Sequence, residues 1–99
     1  MSGFSVVLAQ GAEQDIADAF RWYLERNALA ADGFRAEVVD AIDRIAINPL
    51  SRATDDEGHR RRALRRFPYS VIYEVAGDSV TVWAVAHHRR RPGYWQSSA

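Results

Sequence analysis

Ninety-nine residues make one domain with one modest core, since a chain of this size buries roughly two-thirds of its unfolded surface. Apolar residues are 47% and charged residues 26% of the chain, ordinary values for a globular protein; no apolar run approaches the ~20 residues that span a bilayer, and the lack of cysteine excludes disulfides and thiolate metal sites. The zero net charge conceals an asymmetry: residues 1–57 hold eleven acids and five bases, giving −6, and residues 58–99 hold eight bases and two acids, giving +6.

All thirteen bases are arginine. Guanidinium is the better group for bidentate contact with phosphate or carboxylate. A small dipolar domain of this kind suggests a strongly charged partner on its basic side. The N-terminal stretch MSGFSVVLAQGAEQD has no basic segment ahead of its apolar residues, so it is not expected to be a secretory signal. Together these features lead to the expectation of a cytoplasmic protein.

Along the chain, FSVVLA (residues 4–9) is β-rich and predicts a first strand, ended by Gly11. From Ala12 the period changes. Ala12, Ile16, Ala19, Phe20 and Tyr23 recur at spacings of three and four, with Glu13, Asp15, Asp18 and Arg21 between them. That predicts an amphipathic helix with acids in its first turns, as the helix dipole favours. Asn27 is the expected stop. Phe34, Val38, Ala41, Ile42 and Ile45 form a second apolar stripe, and Asp40–Arg44 is a favourable i,i+4 pair. Asn48-Pro49 should end that helix, because proline disfavours helix in the residue before it. Residues 50–58, LSRATDDEG, read as a loop.

The remainder is β. ALRRF, YSVIYEVA and SVTVWAVAHH are rich in β-branched and aromatic residues, and Gly77-Asp78 marks a tight hairpin between the last two. Val80, Val82, Ala84 and Ala86 alternate with Thr81, Trp83, Val85 and His87. Both sets are largely apolar, so this strand should be central and covered on both faces. The expected class is α+β in the order β-α-α-β-β-β, with a helical hairpin packed on one face of a small, mainly antiparallel sheet. Trp22, Tyr23 and Trp83 stand at core spacing. Asp15, Asp18, Asp40 and Asp43 read as solvated helix faces.

Four blocks in this order carry a likeness: DIADAFRWY in the first helix, Phe34 with AIDRIAINP in the second, RRFPYSVIYEV on the strands, and VWAVAHHRRRPGYW at the end. In these the chain resembles the RelE/ParE superfamily of bacterial toxins, the toxin halves of type II toxin–antitoxin modules. The resemblance implies a single toxin domain and a cognate antitoxin held in a hetero-oligomeric complex. Operator DNA would be contacted only through the antitoxin, with no membrane, metal or other cofactor involved. It implies one of two targets. RelE-like members cleave messenger RNA in the ribosomal A site, and ParE-like members poison DNA gyrase. A third reading is a weakly toxic or inactive member whose main activity is antitoxin binding.

In the ribonucleases an arginine on the third strand stabilises the transition state. Here Ser70 stands in its place, and the lysines near the second strand are missing. His88 falls where a family arginine sits, and Tyr94 where the family has its catalytic tyrosine. If the chain is a ribonuclease, the resemblance points to Arg65 or Arg90 for phosphorane charge and to His88 or Tyr94 for proton transfer. The FPY…IY motif and the PGYW ending are more similar to ParE-type members, so gyrase is the expected target. The expected target-binding residues are Arg61, Arg62, Arg65, Arg66, Arg89, Arg90, Arg91, Tyr94 and Trp95. The guanidiniums should converge on one surface if the second and fourth strands present them to the same side. Otherwise they form a solvated arginine face. His87 and His88, adjacent on a strand, should point to opposite faces. The antitoxin's covering segment should be amphipathic, bringing carboxylates to the arginines.

Overall fold

A computed structural model describes residues 3–89. The elements run β1 (Ser5–Leu8), α1 (Gln10–Leu24), α2 (Ala28–Ile47), a 3-10 turn (Pro49–Ser51), β2 (His59–Ala63), β3 (Tyr69–Ala76) and β4 (Ser79–His87). The four strands form one sheet in the order β1-β4-β3-β2. β1 runs parallel to β4, and the other two pairs are antiparallel. The α+β class, the element order and the helical hairpin on a mainly antiparallel sheet are as the sequence predicts.

α1 ends at Leu24 with Glu25 as its C-cap, and Asn27, the expected stop, instead begins α2. Its side-chain oxygen accepts the backbone N–H groups of Leu29 at 2.9 Å and Ala30 at 3.3 Å, capping α2. Asn48-Pro49 ends α2 as expected, with Asn48 as its C-cap. Gly11 lies inside the first turn of α1 rather than before it. There the backbone N–H groups lack intrahelical partners in any case, so glycine interrupts little. Gly77, at φ +63, makes the tight turn between β3 and β4 that only glycine adopts at low cost.

Phe34 lies at the centre of the core, fully buried. Its ring packs 5.6 Å from Tyr23, 5.7 Å from Phe67 and 5.1 Å from Tyr69, centroid to centroid. The α2 stripe of Phe34, Val38, Ala41 and Ile45 meets Val71, Tyr73, Val80, Val82 and Val85 from the sheet. Tyr73 points into this core, and its hydroxyl donates to the carbonyl of Pro49 at 3.0 Å.

Three expectations are corrected. The second strand is HRRRA at 59–63, not ALRRF. Arginines tolerate an edge strand with one partner, whereas Leu64 and Phe67 leave the sheet to pack into the core. The strict alternation of β4 breaks at a bulge: Ile72 pairs with Ala84 and Tyr73 with Val82, leaving Trp83 as the extra residue. Val85 therefore joins Val80 and Val82 in the core, while Ala84 and Ala86 form a separate buried cluster with Ile72. Trp22 and Trp83 are not core residues, being 50% and 37% exposed. Trp22 falls one position off the α1 stripe and carries the Arg26 guanidinium 3.8 Å over its ring. Trp83 is turned out by the bulge, and its indole N–H donates to Glu74 at 3.0 Å.

Candidate functional site

β2 is an edge strand with period-two geometry, so successive arginines face opposite ways. Arg60 lies opposite Tyr73 and Arg62 opposite Val71, on the helix side. Arg61 lies opposite Ile72, on the outer face, flanked there by His59 opposite Glu74. The sheet therefore separates Arg61 from Arg62. Arg65 and Arg66 follow β2 in the loop to β3 and are tied to α2: Glu37 accepts the N–H of Arg65 at 2.8 Å, the N–H of Arg66 at 3.1 Å and the Arg66 Nε at 2.9 Å.

Arg89 follows β4 at the same end of the sheet, where the His88 N–H donates to the Pro68 carbonyl at 2.8 Å and Leu64 to Tyr69 at 2.9 Å. The structure thus brings Arg65, Arg66, His88 and Arg89 to one end and divides Arg61 from Arg62. Arg90, Arg91, Tyr94 and Trp95, named from the sequence, lie outside the described residues.

The two C-terminal histidines diverge as the strand geometry requires. His87 turns to the helix side, its ring 5.0 Å from that of Tyr69. His88 turns to the other face, its Nε2 3.0 Å from the hydroxyl of buried Ser70. The position where the ribonucleases resembled above carry an arginine is thus a buried serine engaged with an imidazole. Asp15 is not simply a solvated acid. Its carboxylate accepts the N–H of Val85 at 3.0 Å, tying α1 to β4 just past the bulge.

The electrostatics follow from this packing. Burial pushes Glu37 up, but the Arg66 guanidinium and the N–H groups of Arg66 and Arg65 outweigh it and hold the carboxyl below its usual range. Asp55 is also held low, by the backbone N–H groups of His59 and Glu57. Burial, and then the neighbouring Arg52 and Arg44 charges, lower the pKa of Arg62. Burial raises Tyr73. Among the described residues no group of three or more histidines and carboxylates is placed to hold a metal, and no helix is long and apolar enough to cross a membrane.

Sequence reasoning missed Arg44 and Arg52 as neighbours of Arg62. Arg60 donates to the carbonyls of Arg52 and of Leu50 in and after the 3-10 turn. The positions are up to 18 residues apart in sequence, and only the packing of α2 and the 3-10 turn against β2 joins them. An apolar groove of about 410 Å3 lies elsewhere, against α1, lined by Leu8, Ile16, Ala17 and Phe20. Leu24 and Leu29, on either side of the helical hairpin's turn, are 50% and 80% exposed.

Comparison with known proteins gives three findings. Residues 6–92 match the model of the family described as the ParE toxin of the type II toxin–antitoxin system parDE. A solved structure described as the chromosomal ParDE TA system from P. aeruginosa contains a similar chain. The two superpose with a TM-score of 0.75 at 17% identity, over 85% of this chain and 95% of that one. No curated protein matches the sequence.

Proposed function

The chain belongs to the ParE toxin family of type II toxin–antitoxin systems, and from that premise we propose that it inhibits DNA gyrase and is neutralised by a cognate antitoxin. The observation that carries this reading is the family match across residues 6–92. The chemistry at position 70 supports it. A ribonuclease of the related type needs a cation there for the charge of the phosphorane. Here the side chain is a hydroxyl, buried and engaged with His88.

The helical hairpin supports an antitoxin as partner. The groove of Leu8, Ile16 and Phe20 and the exposed Leu24 and Leu29 are apolar surface that water leaves unsatisfied. An amphipathic segment covers such surface with one face and keeps the other in solvent. The arginines beside β2 then meet carboxylates from the same segment.

A supercoiling assay with purified gyrase tests the target. Inhibition with accumulation of cleaved DNA is the expected result. The ribonuclease alternative rests on the resemblance that puts His88 and Tyr94 where the proton would move and Arg65 or Arg90 where charge would develop. If gyrase is untouched at micromolar toxin while ribosome-bound transcript is cut at the A site, and Tyr94→Phe slows that cut, the gyrase reading is wrong.

A further inference from the structure

Between α2 and β2 lies a recess of about 160 Å3, whose charged lining is Glu37, Asp40, Arg44, Arg62 and Arg65. Three guanidiniums face two carboxylates, and both carboxylates are engaged at its rim. Glu37 holds the Arg66 side chain at 2.9 Å, and Asp40 holds Arg44 at 2.9 Å. Among the described residues no carboxylate lies within 4.0 Å of the Arg62, Arg65, Arg52 or Arg60 guanidinium.

The Nε of Arg62 is buried and makes no hydrogen bond, and the same holds for Arg60. A buried donor left unpaired costs about 1–3 kcal/mol, more when charged, so such groups call for a partner. Arg52 and Arg44 add like charge around Arg62. An anion in the recess lies against the Arg62 side chain and offsets the crowding of like charge.

We infer that this recess binds a carboxylate carried by an extended acidic peptide, with Arg62 as its anchor and Arg44 and Arg65 beside it. Size and topology favour a peptide over nucleic acid. The volume is below the roughly 300 Å3 at which pockets begin to enclose drug-sized ligands. It suits a carboxylate and its stem better than a nucleotide. β2 is also a sheet edge, hydrogen-bonded only to β3 among the described strands. Its other side offers backbone groups to an extended chain. Alternate side chains of such a chain reach the helix side of the sheet, where Arg62 lies. The inference deepens the antitoxin reading and rests on it only for the peptide's identity.

The test needs neither antitoxin nor gyrase, so its failure is separable from theirs. The full chain, labelled with 15N, is titrated with a short polyglutamate peptide and separately with single-stranded oligothymidylate, following the arginine Nε–H resonances. Polyglutamate is expected to move the Arg62 resonance. Arg62→Gln is expected to weaken binding about tenfold, as loss of a charged hydrogen bond does, whereas Arg21→Gln on α1 leaves it unchanged. The wild-type shift stands whether or not the Gln variant folds, and a melting curve reports that. An Arg62 resonance that stays still while other arginines move overturns the inference. So does an equal response to oligothymidylate, which would mean the site reads negative charge without regard to a peptide backbone.

Discussion

Glu37 organises more of this protein than its place on a helix surface suggests. One carboxylate accepts two backbone N–H groups and one guanidinium from the loop after β2, fixing the arginine-rich loop against α2. The consequence is a pH dependence. A carboxyl held below its unfolded value adds stability above that value and loses it as pH falls through the folded one. The fold should therefore weaken as pH drops below about 4, near the ordinary glutamate value. Glu37→Gln should lower the melting temperature near neutral pH and flatten its fall on acidification. Asp55, held low by the His59 and Glu57 N–H groups, keeps its own share of the acid dependence. Melting curves of both proteins from about pH 7 to about pH 3 measure the difference. An unchanged acid slope in the variant would remove Glu37 from this role. At the same scale, the sequence showed that Asp15 was polar and on a helix. It could not show that a strand N–H 70 residues away would be its partner.

Each helix end and strand register turns on one or two residues. Asn27 joins the helices of the hairpin, since its side chain satisfies two N–H groups at the start of α2 while its own N–H bonds to Tyr23 at 2.7 Å. Asn27→Ala should cost about 1 kcal/mol, in the range of N-cap substitutions. Denaturant unfolding at unchanged m-value would show it, and a loss below a few tenths would mean that the turn holds without its cap. The elements themselves were legible because apolar spacing reports period directly. The stripe Phe34, Val38, Ala41, Ile45 is buried throughout. β2 was not legible in that way, because a run of a histidine and three arginines has no alternation to read. The bulge at Trp83 was hidden for a related reason. Both faces of β4 are apolar, so a one-residue slip changes no polarity pattern, although it turns Trp83 outward and Val85 into the core.

At the scale of the molecule, charge segregation becomes geometry only in part. Arg62 with Arg44 and Arg52 lies on the helix side of the sheet, Arg65 reaches the same recess from the loop after β2, Arg61 lies on the opposite face, and Arg66 and Arg89 lie at the end. The expectation of one surface on which the guanidiniums of β2 converge therefore gives way to several smaller basic sites. Long-range attraction between a partner and these sites is screened over about 10 Å at 0.1 M salt and about 3 Å at 1 M. Affinity for the antitoxin should fall across that range, as a titration at a series of salt concentrations would measure. An affinity flat in salt would point to the apolar groove of the helical hairpin as the whole of the interface.

Sequence alone determined the class, the order of elements, the two helical stripes and the tight turn at Gly77, because these are local matters of period, capping and backbone freedom. It also supplied the family likeness, spread over four blocks of the chain. Tertiary structure decided which side of the sheet each arginine takes, which acids are engaged, and that Arg44, Arg52 and Arg62 are neighbours. Those outcomes depend on strand register and on the docking of α2 and the 3-10 turn against β2. Contacts between residues distant in the chain leave no periodic trace in sequence.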